Sequence, residues 1–314
     1  MTENMVYWFA SFLLANFNLI PVDGRCDMEI SKLDEIRKIG IIAMFSDDDL
    51  MEMLVLKGAN AISLICKEFS RASVDLDFAM KGAIDTTDIT NISDKIRKTL
   101  EETFLERGYI VFDFEFTERP AVRREGLKEF WGGYRAEFKI IEKERYVSGD
   151  IDGMRKISLP LGDKEKKAFI IDISKYDYCE PKWEVEMNGY TIYVYTAEMV
   201  VIEKIRAICQ QMPEYRYGNK SARAKDFYDI YVLMESFKID LMKAENLELF
   251  KLIFGAKEVP LSLIKKIPDY REYHRGDFVS VIATVYSATD LKEYDFYFDY
   301  VVNKTQMLKI LWGK

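Results

Sequence analysis

The spacing of apolar residues changes several times over the first 107 positions, which indicates helices alternating with strands. Apolar residues three and four apart follow Ser31, the predicted N-cap of a helix, and Glu35 stands close behind it as a capping partner. Short apolar runs without that spacing predict strands. In chain order we predict a helix over 32–45, a strand over 54–56, a helix over 59–69, a strand over 73–78 and a helix over 92–107.

The next segment is rich in β-branched and aromatic residues, a composition typical of strands. It predicts strands over 109–116, 134–141, 167–173 and 190–195, with a turn-rich connector over 149–166. After Ala197 every long segment has helical spacing. These segments predict helices over 197–211, 221–236, 241–254, 278–287 and 291–311.

This order of elements predicts an α+β protein. We expect a mixed β-sheet domain over 1–196, with helices at its N-terminus, and a helical domain over 197–314. Catalytic sites favour the cleft between two such parts. The region around Thr196 is therefore expected to face the site.

Composition and charge restrict the chemistry. The 314 residues include 45 basic and 53 acidic side chains, and the net charge of −8 excludes a uniformly basic nucleic-acid-binding surface. The single histidine, His274, excludes metal sites that need two. The four cysteines lie far apart and are expected to be reduced, as in cytoplasmic proteins. Carboxylates, lysines and arginines remain, and they favour a hard cation such as Mg²⁺.

An apolar stretch near the N-terminus, residues 5–15, is too short to cross a bilayer. Glu3 precedes it instead of basic residues, and no small-residue cleavage motif follows. We therefore predict a buried helix here, no signal peptide, no membrane contact and a cytoplasmic location.

Two carboxylates in the predicted strand over 73–78 are the strongest chemical signal. Asp75 and Asp77 are two residues apart, so their side chains project from the same face of a strand. That face cannot be an apolar core, because each unpaired buried charge would cost several kcal/mol. A divalent cation between them would relieve their repulsion. Upstream, Gly58 follows a strand and opens a helix, where backbone N–H groups can bind phosphate.

This arrangement resembles the AbiEii/AbiGii-type nucleotidyltransferase toxins of the polymerase-β-like superfamily. Their first motif is a strand, Gly-Gly or Gly-Ser, a helix and a segment of the form R-x-S-x-D-x-D. The matching residues are Gly58, Ala59, Arg71, Ser73, Asp75, Asp77 and Phe78. Ala59 departs from the pattern because it has no hydroxyl group, so the resemblance implies weaker or shifted phosphate binding.

A second match covers 197–207 and 223–231, which resemble two later helices of the same family. Through this resemblance Lys204, Lys225 and Asp226 are expected to bind the nucleotide. The superfamily also uses a third carboxylate on an adjacent strand. Asp172 is our preferred candidate and Glu137 is the alternative.

The resemblance implies a Mg²⁺-dependent toxin that moves a nucleotide from an NTP to the 3′ hydroxyl of an RNA, with tRNA as the expected acceptor. Asp75, Asp77 and Asp172 would hold the metal. The family's members act in type IV toxin–antitoxin systems and in phage defence by abortive infection, so a cognate antitoxin is expected. Two alternatives stay open: nucleotidylation of a protein hydroxyl, and a non-catalytic nucleotide-binding module, which the departure at Ala59 suggests.

Other polar and aromatic features are given structural interpretations. Residues 201–225 contain six basic and two acidic side chains, which indicates an anionic partner or a solvated face. A basic run indicates a solvated loop more than a nucleic-acid contact; its members are Arg119, Arg123, Arg124 and Lys128. Trp131-Gly132-Gly133 predicts a turn, and His274 a capping or surface residue. Tyr294, Tyr297 and Tyr300 predict a core or interface stripe.

Overall fold

The computed structural model describes residues 25–66, 73, 75–121, 128–161, 166–217, 220–285 and 291–313. The chain divides into two compact units, residues 1–38 and residues 39–314. The larger unit contains the sheet and all the helices that follow it. The expected domain boundary at 196/197 stays a prediction. The apolar stretch over 5–15 and the motif residue Arg71 lie outside the described residues.

The α-helices differ in length from a single turn to more than five turns. Those that precede the last strand are α1 (Arg25–Phe45), α2 (Asp48–Met53), α3 (Gly58–Ile65), α4 (Ile89–Glu106) and α5 (Ile151–Ile157). Those that follow it are α6 (Ala197–Cys209), α7 (Ala224–Phe237), α8 (Ala244–Gly255), α9 (Arg271–Arg275), α10 (Phe278–Ile282) and α11 (Tyr294–Gln306). Short 3₁₀ helices cover Lys143–Arg145, Leu261–Tyr270 and Met307–Leu311.

Seven strands form one mixed sheet in the order β3-β4-β5-β2-β1-β7-β6. Their bounds are β1 (Val55–Lys57), β2 (Leu76–Ala79), β3 (Tyr109–Arg119), β4 (Gly133–Glu142), β5 (Ala168–Ser174), β6 (Lys182–Met187) and β7 (Tyr190–Tyr195). Strand β2 pairs antiparallel with β1 and parallel with β5. The short central strands β1 and β2 therefore lie between longer strands on both sides.

One large hydrophobic core joins the central strand β1 and helix α3 to the helices after the sheet. It includes Ile62, Val201, Phe227, Phe250 and Phe298, each of them fully buried. Phe227 stacks on Phe298 with 5.0 Å between ring centroids. Burying one such side chain contributes about 1.5–3 kcal/mol to folding. This core fixes α6 and α7 beside the ends of the central strands.

The predicted α+β class is confirmed by the mixed sheet and the helical C-terminal region. The predicted strand over 190–195 has the bounds of β7. Of the predicted aromatic stripe, Tyr294 and Tyr297 are buried and Tyr300 packs partly against the core. Cys66, Cys179 and Cys209 are buried, and the last two are free thiols. In the described part of the chain, none of the helices has the length and apolarity needed to span a membrane.

Several element bounds were predicted wrongly. Helix α1 begins at Arg25, so Ser31 lies inside it and is not its N-cap, because residues 25–31 contain no helix breaker. Strand β6 was not predicted, since its charged residues interrupt the apolar run, and α5 lies within the connector that was predicted to be turn-rich. Strand β2 begins at Leu76, which places Asp75 immediately before the strand.

Candidate active site

The central feature is a pair of carboxylates on neighbouring strands. Asp77 on β2 lies directly opposite Asp172 on the parallel strand β5, and their side chains therefore share one face. Burial and the negative charge of Asp172 raise the pKa of Asp77 to about 6, against the opposing charge of Lys57. A raised carboxylate pKa means that the charged form lacks compensation in the metal-free protein. This pair is the kind of site that a divalent cation would stabilise.

Asp75 lies next to this pair at the entrance of β2. The carbonyl oxygen of Asp75 accepts a hydrogen bond of 2.7 Å from the side-chain amide of Asn60, which is buried on α3. The Asp75 side chain itself is exposed. Partial desolvation and the charge of Asp172 raise the pKa of Asp75. Among the described residues, no three acidic, cysteine or histidine side chains are close enough to hold one metal ion.

Asp172 is oriented by an arginine on the next strand. Arg135 on β4 lies opposite Asp172 and donates two hydrogen bonds to it, Nε to Oδ1 at 2.8 Å and Nη2 to Oδ2 at 2.9 Å. Glu137, the alternative third carboxylate, lies opposite Ile170 and is one strand further from β2. The register thus places Asp172, and not Glu137, beside Asp77.

Helix α3 begins next to Asp77. Gly58, its first residue, has a φ of +69°, and a Cβ atom there would lie 2.7 Å from Oδ2 of Asp77. The side chain of its N-cap residue, Lys57, forms no capping hydrogen bond. Ala59 is 6% exposed, and its methyl group packs in the hydrophobic core. The helix start therefore offers backbone donors next to the carboxylate, with no hydroxyl from residue 59.

A buried cluster of charged residues lies behind this site and was not predicted. Its members are Lys57, Asp177, Glu203, Arg206 and Lys257, all of them buried or nearly so. Lys57 Nζ lies 2.9 Å from Asp177 and 3.2 Å from Glu203. Lys257 and Arg206 also pair with Asp177, at 3.1 and 3.6 Å.

The cluster shifts the pKa values of its two lysines in opposite directions. Burial disfavours the ammonium group of Lys57, but the charges of Asp177 and Glu203 prevail and raise its pKa. Burial lowers the pKa of Lys257 to about 8, although Asp177 opposes that shift. The only sequence signal for this cluster was the position of Lys57 directly before Gly58.

The predicted nucleotide-binding residue Lys204 has a different environment from the expected one. Its Nζ lies 3.0 Å from Asp226 and 2.7 Å from Asp229, and all three side chains are buried. Asp226 also accepts a hydrogen bond of 2.5 Å from Arg223 Nε. Burial opposes the charged form of Asp226, but Arg223 and Lys204 lower its pKa. The ammonium group of Lys204 is thus already neutralised by protein carboxylates.

His274 completes the support behind Arg223. It is fully buried, and its Nδ1 accepts a hydrogen bond of 3.1 Å from the backbone N–H of Arg223, the residue before α7. Burial lowers the pKa of His274 to about 4, so the ring is neutral at neutral pH. The predicted capping role is confirmed, whereas the predicted surface position is wrong.

Two cavities meet at Asp77. The smaller, about 260 Å³, is lined by Gly58 and Ser73 and by the predicted binding residues Ala59, Lys204, Lys225 and Asp226. The larger, about 940 Å³, is lined by Asp172 and extends past β4 to α6. Lys57, Asp77, Glu203 and Arg223 line both. The two cavities therefore share one wall. Asp77 lies on this shared wall, opposite Asp172 on β5.

A match to a protein-family model identifies the family of this chain. Residues 41–300 match the model of the nucleotidyl transferase AbiEii toxin family of type IV toxin–antitoxin systems. The chain belongs to the AbiEii family. It is accordingly a nucleotidyltransferase of a toxin family, as the sequence resemblance implied. The AbiEii match begins inside α1 and includes the whole sheet, both cavities and most of the C-terminal helices.

Three solved structures are similar to this AbiEii protein. JHP933 from Helicobacter pylori is 15% identical, with a TM-score of 0.46, covering 92% of this chain and 95% of that chain. An antigenic nucleotidyltransferase-like protein from Paracoccidioides brasiliensis is 14% identical, with a TM-score of 0.35, covering 77% and 93%. ANT(2″)-Ia in complex with adenylyl-2″-tobramycin is 14% identical, with a TM-score of 0.31, covering 73% and 99%. None of the curated protein sequences matches the chain.

Proposed function

We propose that this AbiEii protein transfers a nucleotide from an NTP to the 3′ hydroxyl of an RNA, with tRNA as the acceptor, and that the reaction depends on Mg²⁺. The position of Asp77 between two cavities carries the proposal. Gly58 and Ser73 line only the smaller cavity, whereas Asp172 lines only the larger one. A donor phosphate on one side and an acceptor hydroxyl on the other would meet at the carboxylates.

The smaller cavity suits a polyphosphate. Its volume of about 260 Å³ is below the range of about 300–1,000 Å³ typical of whole small-molecule sites. The backbone N–H groups at the start of α3 and the side chains of Lys225 and Arg223 offer donors for phosphate oxygens. The triphosphate would lie here, with the α-phosphorus directed towards Asp77.

The donor set fits a divalent cation. Asp77 and Asp172 supply hard oxygen ligands from one face of the sheet, and Asp75 lies next to them. Burial and the charge of Asp172 raise the pKa of Asp77, which a bound cation would reverse. When bound, Mg²⁺ would supply positive charge to the attacking and leaving oxygens.

The protein's own residues position the reactants. Arg135 holds the carboxylate of Asp172 towards the larger cavity, where the acceptor hydroxyl would be oriented. That oxygen attacks the α-phosphorus, the bond to the β-phosphate oxygen breaks, and pyrophosphate leaves into the smaller cavity. Lys57 and Arg223 line both cavities and would lower the energy of the charge that develops between them. Asp226, which is itself paired with Lys204, would hold the guanidinium group of Arg223 in position.

The biological setting follows from the family. We propose that the chain acts as a toxin in the cytoplasm, in abortive phage defence, and is restrained by a cognate antitoxin. Transfer of a nucleotide to a tRNA 3′ end would block translation. Expression of the chain under an inducible promoter, with and without Asp77→Asn, would show whether growth arrest requires the carboxylate.

A direct assay tests the activity. The protein is incubated with total tRNA and each of the four labelled NTPs, in Mg²⁺ or in EDTA. We expect label on tRNA with one or more NTPs in Mg²⁺ alone, and loss of roughly a hundredfold or more in Asp77→Asn. Asp94→Asn, an exposed site on α4, is the matched control. Equal transfer by Asp77→Asn and by the wild type would contradict the proposal, and label on lysate proteins with unlabelled tRNA would favour a protein acceptor.

A further inference from the structure

An aromatic surface lines the larger cavity beside the start of β4. Trp131 and Tyr217 both line the cavity, with 6.1 Å between their ring centroids and 27° between their planes. Both side chains are partly buried against the hydrophobic core. Each ring therefore packs against the core and also borders the cavity.

The surrounding backbone fixes the position of these rings. Gly132, directly after Trp131, has a φ of +102°, and a Cβ atom there would lie 2.1 Å from the carbonyl oxygen of Arg119. A Cβ atom on Gly133 would lie 2.0 Å from the carbonyl oxygen of Ile173. The hydrogen-bonded turn lies slightly earlier than the predicted one at Trp131–Gly133, because the Trp131 N–H donates to the carbonyl of Lys128 and Gly133 already begins β4. No larger residue would let the Trp131 turn approach the sheet this closely.

A third ring anchors Tyr217 and does not line the cavity. Tyr215 is buried, its hydroxyl donates a hydrogen bond of 2.9 Å to the carbonyl of Lys257, and its centroid lies 5.4 Å from that of Tyr217. Phe130 also packs edge-on against Tyr217, with 5.4 Å between ring centroids, so the cluster has two structural members, Tyr215 and Phe130, and two members that line the cavity. This division provides a matched control for mutagenesis.

Two exposed arginines flank the aromatic pair. Arg119 and Arg216 line the same cavity. Within the residues that the structure describes, neither of them forms an ion pair. Aromatic rings beside guanidinium groups are the combination with which proteins bind single-stranded nucleic acids.

We propose that Trp131 and Tyr217 form a stacking platform for nucleobases of a single-stranded RNA acceptor, with Arg119 and Arg216 contacting its phosphates. The inference rests on the proposed function, which assigns the larger cavity to the acceptor. A volume of about 940 Å³, at the upper end of the small-molecule range, leaves room for more than one nucleotide. The phosphate donors at Gly58 line the other cavity, which separates the platform from the triphosphate. The arginines also disfavour a polycationic acceptor.

Binding can be measured without catalysis. A fluorescein-labelled single-stranded RNA of twelve nucleotides is titrated with the full-length protein in EDTA, and anisotropy gives the Kd. We expect Trp131→Leu and Tyr217→Leu each to weaken binding by about tenfold, since stacking contributes about 1–3 kcal/mol per base. Tyr215→Phe keeps its ring, and Trp183→Phe changes an exposed tryptophan on β6. Both controls should bind as the wild type does.

A second probe needs no variant of the protein. The same RNA with abasic residues at its last two 3′ positions keeps its phosphates and loses the bases. Wild-type protein should bind it about tenfold more weakly, whereas Trp131→Leu should discriminate little between the two RNAs. Equal wild-type affinity for both RNAs overturns the platform, even if a variant fails to fold.

Transfer kinetics separate this inference from the proposed function. If tRNA is the acceptor, Trp131→Leu should raise the KM for tRNA and leave the KM for NTP within about twofold. A raised KM for NTP alone overturns the inference, because the platform then holds the donor base. Transfer to tRNA with an unchanged KM in both leucine variants also overturns it, while the proposed function stands. Base-dependent RNA binding without any nucleotide transfer supports the platform and removes the proposed function.

Discussion

A Cβ atom on Gly58 would lie 2.7 Å from Oδ2 of Asp77, so the start of α3 and the central carboxylate fit together only because residue 58 has no side chain. The backbone of Gly58 has a φ of +69°, which L side chains rarely adopt. Two independent constraints therefore select glycine here. One is the local conformation, and the other is the carboxylate on the neighbouring strand.

Gly58→Ala should therefore damage both folding and activity. The left-handed backbone costs about 1–2 kcal/mol for alanine, and the contact forces the Asp77 carboxylate to move. We expect a lower urea midpoint and a loss of nucleotide transfer of roughly a hundredfold or more. Gly255→Ala is the control, since a Cβ atom at that helical position meets nothing within 4 Å.

A double-mutant cycle isolates the contact from the backbone strain. In an Asp77→Ala background the 2.7 Å contact with Oδ2 is absent, and the strain at residue 58 remains together with the milder 3.3 Å contact to the Cβ atom of residue 77. The loss of stability from Gly58→Ala should then be smaller by about 1 kcal/mol than in the wild type. Identical losses of stability from Gly58→Ala in the two backgrounds would show that the Asp77 carboxylate does not restrict residue 58.

The charge of Asp77 is expected to destabilise the metal-free protein. Its pKa is raised from 3.8 to about 6, so folding favours the protonated form. The resulting cost is absent below pH 4, grows as the pH rises towards 6 and is complete above it, with an upper bound of about 3 kcal/mol. Asp77→Asn removes the charge and keeps the shape of the side chain.

In EDTA at pH 8, Asp77→Asn should therefore be more stable than the wild type in urea denaturation. The difference should shrink steadily between pH 6 and pH 4, because the wild type becomes neutral there as well. Asp94→Asn, at an exposed carboxylate, is the control variant in the same series. If Asp77→Asn is less stable than the wild type at pH 8, the charge of Asp77 does not destabilise the metal-free protein.

The strand register separates the two candidates for the third carboxylate. Asp172 lies opposite Asp77, whereas Glu137 lies opposite Ile170 on β5. Mn²⁺ binding, measured by isothermal calorimetry, should weaken by roughly tenfold or more in Asp172→Asn and stay near the wild-type value in Glu137→Gln. The reverse order of effects would assign the metal to Glu137. Equal affinities in all three proteins would remove the metal site from this face of the sheet.

Local signals in the sequence were sufficient for the fold class and for the carboxylate motif. The alternation of apolar spacing predicted the mixed sheet and the helices after Thr196, and the spacing of Asp75 and Asp77 predicted a shared face. The bounds of β2 were less well predicted. Since the strand begins at Leu76, only Asp77 has a partner in the ladder.

Long-range charge pairing could not be predicted from the sequence. Lys57 and Asp177 are 120 positions apart, and their pairing depends on the order of strands in the sheet. Asp177 follows β5 in a segment without helical or strand periodicity, so nothing in its neighbourhood indicates burial. The same limit applies to Lys204, whose carboxylate partners lie on another helix. A basic residue near a motif can neutralise a ligand or a buried acid, and local spacing does not distinguish the two.

Substitutions of Lys204 and Lys225 distinguish a lysine that neutralises buried acids from a lysine that binds a ligand at the smaller cavity. Lys204 is buried between Asp226 and Asp229, so Lys204→Met removes an ammonium group that two buried carboxylates contact and should cost about 3–5 kcal/mol in urea denaturation. Lys225 lines the cavity from a half-buried position on the next helix. Lys225→Met should cost less than about 1 kcal/mol and raise the KM for NTP instead.

A compensating change distinguishes structural loss from loss of a phosphate contact. Asp229→Asn removes one of the two buried negative charges that Lys204 neutralises, so the double variant should recover part of the lost stability. If Lys204 mainly contacted the triphosphate, the single variant would keep wild-type stability and lose NTP affinity. Recovery of stability together with a KM for NTP near the wild-type value would place Lys204 in the support of Arg223, because Asp226 joins the two side chains.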